Sequence, residues 1–311
     1  MSRRPDAVVP PGILLVDKPA GMTSHDVVAR ARRALSVRKV GHAGTLDPMA
    51  TGLLLLGVGA ATRLLGYLGG HDKTYEATIR LGQATVTDDR EGEVLATVPA
   101  GHLDDAAVRA ALAAQTGPLL QVPSSVSAVK VAGRRSYDRV RAGETVELEP
   151  RSVTVHRLEV HRIERVDDLV DVDATVECTA GTYIRAIARD AGAALGVGGH
   201  LTALRRTTSG PFRVDAAATV EDAAASLVAG RGAGFLPLAD AAVAVFPQRL
   251  LTAEEAVELG HGRRIPATGV AGPAAATAPD GRLVALVEDA GSSARVAVGF
   301  PPSSPVATSQ A

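Results

Sequence analysis

The 311-residue chain holds one cysteine, no tryptophan and only 3% aromatic residues. Cys178 alone can form neither an intrachain disulfide nor a thiolate metal site. With so little aromatic bulk the core has to be built from Ala, Val and Leu, and a hydrophobic share of 46% supplies them. A chain of this length buries roughly 75% of its unfolded surface, so it needs no covalent or metal staple. Long apolar runs are also missing. The strongest, Leu53 to Val58, is far shorter than the ~20 residues of a membrane span. Arg3 and Arg4 are not followed by an apolar stretch, which argues against a signal peptide. The expectation is a soluble, cytoplasmic protein that does not enter a membrane. Also absent are a GxxxxGKS/T phosphate loop, an HExxH or clustered His/Cys set, and a GxSxG nucleophile elbow.

The net charge of −1 is not that of a strongly basic nucleic-acid binder, but the charge is unevenly placed. Met1 to Tyr75 carries ten Lys/Arg against five Asp/Glu, and Lys130 to Arg141 five against one. From Phe235 onward the balance reverses, with five basic and seven acidic residues. Screening limits a charge to about 8–10 Å, so local excess decides whether phosphate can be held.

Gly12 to Asp17 reads as a short buried strand ending at Lys18-Pro19. Ser24 is placed to cap a helix whose apolar positions Val27, Ala31 and Leu35 recur every four residues. A Gly-rich loop from Gly41 to Gly52 feeds the buried strand Leu53 to Val58. Thr74 to Leu81 alternates cleanly, with Tyr75, Ala77, Ile79 and Leu81 on one face. A helix is expected over Asp104 to Gln115, strands over Val153 to Ile163 and Val170 to Cys178, and a helix from Thr182 to about Leu195. The elements show no regular βαβ rhythm, which predicts an α+β fold. Composition shifts near Phe246-Pro247, where a small second domain begins, with a helix over Ala253 to Leu259 and strands at Leu283 to Val287 and Ala294 to Val298. The Pro/Ser/Ala-rich end from Pro301 is expected to be disordered.

Three segments could carry chemistry. In Gly41-His42-Ala43-Gly44-Thr45-Leu46-Asp47-Pro48 the glycines permit tight turns and close ligand approach, and Pro48 holds Asp47 extended. His42 is a planar group able to stack on a base; taken alone, the segment could equally be an ordinary turn. Lys73-Thr74-Tyr75-Glu76-Ala77 points Tyr75 inward, with a hydroxyl in need of a partner, although a plain core tyrosine fits as well. In Gly181-Thr182-Tyr183-Ile184-Arg185, a cap at Thr182 puts Arg185 in the first helical turn, where a cation opposes the helix dipole. Arg189 adds a like charge four residues on. An anion facing Arg185, carboxylate or phosphate, would relieve both conflicts.

Together and in this order, these segments resemble the TruB family of bacterial tRNA pseudouridine synthases, which modify uridine 55 in the T-loop. The likeness runs from Gly12 to Val214, about two thirds of the chain. It also rests on Leu15-Val16-Asp17-Lys18-Pro19-Ala20-Gly21, Gln121-Val122-Pro123, Ser127-Ala128 with Lys130, and Leu204-Arg205-Arg206-Thr207. The resemblance implies a pseudouridine-synthase fold, a mixed and mostly antiparallel sheet flanked by helices over residues 1–245. It further implies a T-arm-gripping insertion at 121–150 and a small PUA-like domain at 246–300, ahead of a disordered tail at 301–311. It makes Asp47 the catalytic aspartate, Tyr75 the active-site tyrosine and Arg185 the partner of Asp47. His42, Leu204, Lys18, Gly44, Thr45 and Tyr183 would bind the substrate nucleotide, and Arg63, Lys130, Arg134, Arg135 and Arg205 the RNA.

The implied reaction breaks the N1–C1′ bond of a flipped-out uridine, turns the uracil and joins C5 to C1′, so neither a cofactor nor a metal is required. Sequence leaves open whether Asp47 attacks C1′ or takes a proton from the sugar. The chain departs from the family pattern in Pro123-Ser124-Ser125-Val126-Ser127, where Pro-Pro-x-Tyr-Ser is usual. It also has Val86 where Asp is common and Arg63 where Lys is common. A monomer acting on tRNA without a protein partner is expected. Two other readings remain: a guide-RNA-dependent pseudouridine synthase, which would need partner proteins, and a non-catalytic tRNA-binding or folding factor. Activity of the purified chain separates the first, and Asp47→Asn the second.

Overall fold

The computed structural model describes residues 9–124, 130–131, 134–135 and 149–301. Most of the expected insertion, and the expected tail apart from Pro301, lie outside the described residues. The strands are β1 (Gly12–Lys18), β2 (Val40–Ala43), β3 (Thr51–Val58), β4 (Lys73–Leu81), β5 (Gln83–Thr85), β6 (Val94–Thr97), β7 (Gly117–Gln121), β8 (Lys130–Val131), β9 (Arg134–Arg135), β10 (Arg151–Val166), β11 (Leu169–Cys178), β12 (Gly199–Ser209), β13 (Phe212–Arg213) and β14 (Phe235–Pro237). With them go helices α1 (Ser24–Leu35), α2 (Leu65–Gly69), α3 (Asp105–Ala113), α4 (Ile184–Ala194), α5 (Val220–Ala229) and α6 (Leu238–Val243). A ten-stranded sheet runs β14-β1-β3-β12-β4-β11-β10-β7, with β2 beside β3 and β13 beside β12. All its pairings are antiparallel except β3 with β12.

The run Leu53 to Leu56 does not alternate because the sheet is covered on both faces there. Leu54 and Leu56 join Val27, Ala31 and Val220 on the helical side. Leu53 and Leu55 pack with Ala275, Leu286 and Phe300 of a C-terminal domain on the other. That domain is a five-stranded sheet formed by residues 248–299, with its own helix, Ala253–Gly260, packed on it and α6 also lying against it.

Three local expectations are corrected. Thr23, not Ser24, caps α1: its hydroxyl accepts from Asp26 N at 3.1 Å while the Asp26 carboxylate accepts from Thr23 N at 2.9 Å. Ser24 is buried and exchanges hydrogen bonds with the backbone of Leu46 instead. The Gly41 to Gly52 loop is shorter than expected, because β2 pairs with β3 and sets His42 opposite Leu56. Helix α4 starts at Ile184, and Thr182 directs its hydroxyl to Thr179 O at 2.9 Å rather than capping it.

The sequence reading did not find β12, although it carries Leu204 to Arg206. Register shifts between Leu201 and Ala203 and between Arg206 and Thr208 break its alternation. At its junction with β3, Gly52 has φ +96° and a Cβ there would lie 2.3 Å from the Arg206 carbonyl oxygen. Gly52→Ala should therefore lower the unfolding free energy by about 3 kcal/mol or more, read as the midpoint of urea unfolding. An unchanged midpoint would mean that β3 and β12 can separate freely.

Candidate active site

Strands β3 and β12 pair only at Arg205–Thr51 and Arg206–Gly52. The loop joining β2 to β3 enters at this junction, and Asp47 lies on it. Four contacts fix that loop. Ser24 holds Leu46 at 2.9 and 3.2 Å. The Lys18 ammonium, fully buried, donates to the carbonyls of Pro19, Met22 and Pro48 at 2.9, 2.7 and 3.2 Å. Gly21 N reaches Pro48 O at 2.8 Å. Arg206, 1% exposed, donates to the carbonyls of Leu53 at 2.7 Å, Gly44 at 3.1 Å and Thr45 at 3.4 Å. Neighbours on both sides therefore aim the carboxylate.

That carboxylate faces Arg185. The guanidinium, 4% exposed, reaches Asp47 Oδ1 at 2.9 Å through Nη2. Its Nη1 lies 2.9 Å from Thr87 O and 3.3 Å from Asp89 Oδ2. The anion that Arg185 calls for is thus a pair of carboxylates. Burial raises the pKa of Asp47; Arg185 opposes the shift, Asp89 adds to it, and Lys18 opposes it. Sequence reasoning expected only the arginine's effect, which favours the ionised form. Burial also lowers the Lys18 pKa to about 8, with Asp47 pulling it back up.

Tyr75 is 7% exposed among Leu204, Ile184 and Val176, and the Arg206 guanidinium lies beside its hydroxyl. Burial raises the phenol's pKa, so at neutral pH it is protonated. Leu204 and Arg205 line a cavity of about 480 Å³ that opens along the junction with Met49, Thr51, Ala77 and Asp173. Asp47 itself does not line it; the cavity begins two residues further along the loop. Arg205 forms a two-point ion pair with Asp17 at 2.9 and 2.7 Å.

His42 meets His25 edge to face at 5.2 Å between ring centres. Gly44 is in the left-handed region, φ +76°, Thr45 is exposed, and Tyr183 is half-buried with its backbone bonded to Gln121. Arg63 donates to the carbonyl of Gly299 in the C-terminal domain. The backbone of β8 and β9, carrying Lys130, Arg134 and Arg135, forms a separate two-stranded antiparallel sheet.

Sequence reasoning assigned no role to Asp89 or Arg206. Asp89 gave no signal. Arg206 would give one only once β12 is known: adjacent Arg205 and Arg206 on a strand face opposite ways, so in a sheet covered on one face one of them points inward.

The fold is that of the pseudouridine synthases. The chain superposes on a structure described as a Cbf5-Nop10-Gar1 complex with a TM-score of 0.71 and 27% identity, over 96% of this chain and 88% of that one. The chain belongs to the TruB family. Residues 32–184 match the TruB family pseudouridylate synthase N-terminal domain, 185–233 the tRNA pseudouridylate synthase B C-terminal domain, and 246–301 the C-terminal domain of tRNA pseudouridine synthase II. A protein of Thermobifida fusca named tRNA pseudouridine synthase B is 58% identical over 93% of this chain and 98% of its own length. One of the same name from an Arthrobacter species is 56% identical over 94% and 97%.

Proposed function

We propose that this chain isomerises uridine 55 in the T-loop of tRNA to pseudouridine, with Asp47 as the catalytic carboxylate. The observation that carries the reading is the 2.9 Å pair of Asp47 with the buried Arg185, held by a loop anchored on both sides. The tRNA substrate is supported by the names of relatives more than half identical over nearly the whole chain. Those relatives are bacterial and the Cbf5 likeness is far weaker, which favours a chain that acts alone, as a monomer in the cytoplasm, over a guide-dependent one.

The target base leaves its stack at a cost of a few kcal/mol. A loop suits this, since splayed single-stranded bases can be read where an A-form helix cannot. Leu204 walls the uracil, His42 stands near the place the base vacates, and Gly44, Thr45 and Tyr183 border the sugar. Lys18 serves the substrate through the Pro48 turn it holds. Arg63, Arg205, Lys130, Arg134 and Arg135 contact RNA, while the domain from 246 is a PUA-like module. Tyr75 stacks on the base and, being protonated, assists loss of the C5 proton as a relay. It passes its own hydroxyl proton on to solvent as it takes up the one from C5, once C5 has bonded to C1′; N1, released from C1′, takes one proton up, so the count balances.

Tritium release from C5-labelled uridine in a T-arm RNA tests the reading. The wild type releases tritium and Asp47→Asn does not; a wild type that binds the RNA without release would favour the binding-factor reading. Tyr75→Phe should slow release by about 10²-fold or more, and full turnover would remove Tyr75 from the proton transfer.

The pH dependence follows from the same groups. Asp47 acts as carboxylate and its pKa is raised, so the rate should climb with pH through a value above the ordinary aspartate range. It should fall again near pH 8, as the buried Lys18 loses its proton and releases the Pro48 turn. Lys73, also lowered to about 8 by burial, contributes to the same limb. A single-turnover rate that stays flat down to the ordinary carboxylate range would contradict the first half.

A further inference from the structure

The helix that carries Arg185 is held at two points by one short segment, the last residue of β7 and those that follow it. Gln121 brackets Tyr183, accepting from its N–H at 2.7 Å and donating to its carbonyl at 3.0 Å. Further along the helix, Arg189 donates through Nη2 to Val122 O at 2.9 Å and through Nη1 to Asp88 Oδ2 at 3.2 Å. The same Asp88 oxygen accepts from Ser124 Oγ at 2.6 Å. Arg185 lies between these anchors, and Arg189, four residues on, shares its side of the helix. Gln121, Ser124 and Asp88 are all buried.

Asp88 is flanked by the two residues that hold Arg185 from below, Thr87 through its carbonyl and Asp89 through its carboxylate. Its own backbone sits at φ 58°, in the left-handed region, tied by Leu201 N to Asp88 O at 3.0 Å. Glycine or asparagine would satisfy that backbone at least as well. A carboxylate is not what the turn needs, and burial works against its charge. Its partners are what make it useful: Arg189 and Arg185 face it from α4, Ser124 faces it from the segment after β7, Asp89 adjoins it, and Asp190 shares Arg189 at 2.8 Å.

We propose that Asp88 is a positioning residue for the reaction: by gripping Arg189 and Ser124 together, its carboxylate sets where α4 places Arg185 against Asp47. This rests on the reading of Asp47 as the catalytic carboxylate. The segment concerned, 121–124, leads into the stretch assigned to the T-arm under that reading. The anchor of the arginine and the RNA-binding insertion therefore share one root.

Asp88→Gly tests this without straining the fold, because glycine relieves the left-handed backbone while removing the carboxylate. Single-turnover tritium release is followed against pH at saturating T-arm RNA, with RNA affinity and melting temperature measured alongside. The expected result is a rate lower by about 10²-fold with RNA affinity within about twofold. The acid limb should move to higher pH, because Asp47 loses part of its cationic neighbour while Asp89, Glu91 and Lys18 stay in place. Asp88→Asn, which keeps an acceptor for Ser124 but no charge for Arg189, should fall between Asp88→Gly and wild type. Ser124→Ala should shift the limb in the same direction by less. A wild-type acid limb in Asp88→Gly would overturn the proposal, as would a rate recovered by more RNA or a loss matching the fraction unfolded. Asp47→Asn is run beside them. If it is active, the catalytic reading falls and this inference with it. If it is inactive while Asp88→Gly behaves as wild type, only the role of Asp88 falls.

Discussion

Asp47→Asn should lower the single-turnover rate of pseudouridine formation by about 10⁴-fold or more while leaving the melting temperature unchanged or higher. The first half follows from chemistry, since an amide neither attacks C1′ nor takes a proton from the sugar. The second follows from the site's electrostatics. Burial raises the Asp47 pKa in the folded protein. A carboxyl shifted in that direction gives its full stability below its unfolded-state pKa, and loses it as pH rises through the folded-state value. At neutral pH the ionised Asp47 is therefore a liability to the fold, and asparagine, of nearly the same shape, removes it. Arg185 is not stranded, because Asp89 Oδ2 stays 3.3 Å away and Thr87 O 2.9 Å away. Differential scanning calorimetry and tritium release on the same preparation check both halves. A large drop in melting temperature would show that the Asp47–Arg185 pair is chiefly structural.

Arg185→Met should be damaging in the opposite sense, lowering the unfolding free energy by about 3–5 kcal/mol as well as abolishing activity. The guanidinium is 4% exposed and stands between two carboxylates, Asp47 and Asp89, the second equally buried. Removing it leaves both carboxylates without the cation they share. Arg185→Lys keeps the charge but not the planar fork. One ammonium cannot make the 2.9 Å contacts to Asp47 and Thr87 O and the 3.3 Å contact to Asp89 with the same geometry, so the rate should fall by about 10²–10³-fold. Adding Asp89→Asn to Arg185→Met should restore part of the stability and none of the activity. Urea unfolding of the two variants gives the comparison, and an Arg185→Met protein as stable as wild type would mean that water compensates the carboxylates.

Much of the site could be read along the chain because its parts are local. Asp47 sits beside Pro48 in a run of glycines, Tyr75 occupies an inward position of a cleanly alternating strand, and Arg185 opens a helix where a cation is out of place. Each departs from, or conforms to, a rule that operates over a few residues. For Asp88 and Asp89, by contrast, nothing within ten residues marks one as a partner of Arg189 and Ser124 and the other of Arg185.

By itself, then, the sequence determined the family, the α+β class, and most of the strands and helices apart from β12, and it singled out Asp47, Tyr75 and Arg185, of which the structure pairs Asp47 with Arg185. Periodicity and turn chemistry are local quantities, and the motif segments are contiguous. Only the tertiary structure decided that Lys18 faces three carbonyls, that Arg206 is buried behind the Asp47 loop, and that one arginine serves two carboxylates. Those outcomes depend on strand register and burial between segments up to 162 residues apart. The pKa of Asp47 depends on them too, because burial competes there with the pull of Arg185 and Lys18, and neither exists until the sheet has closed around the loop.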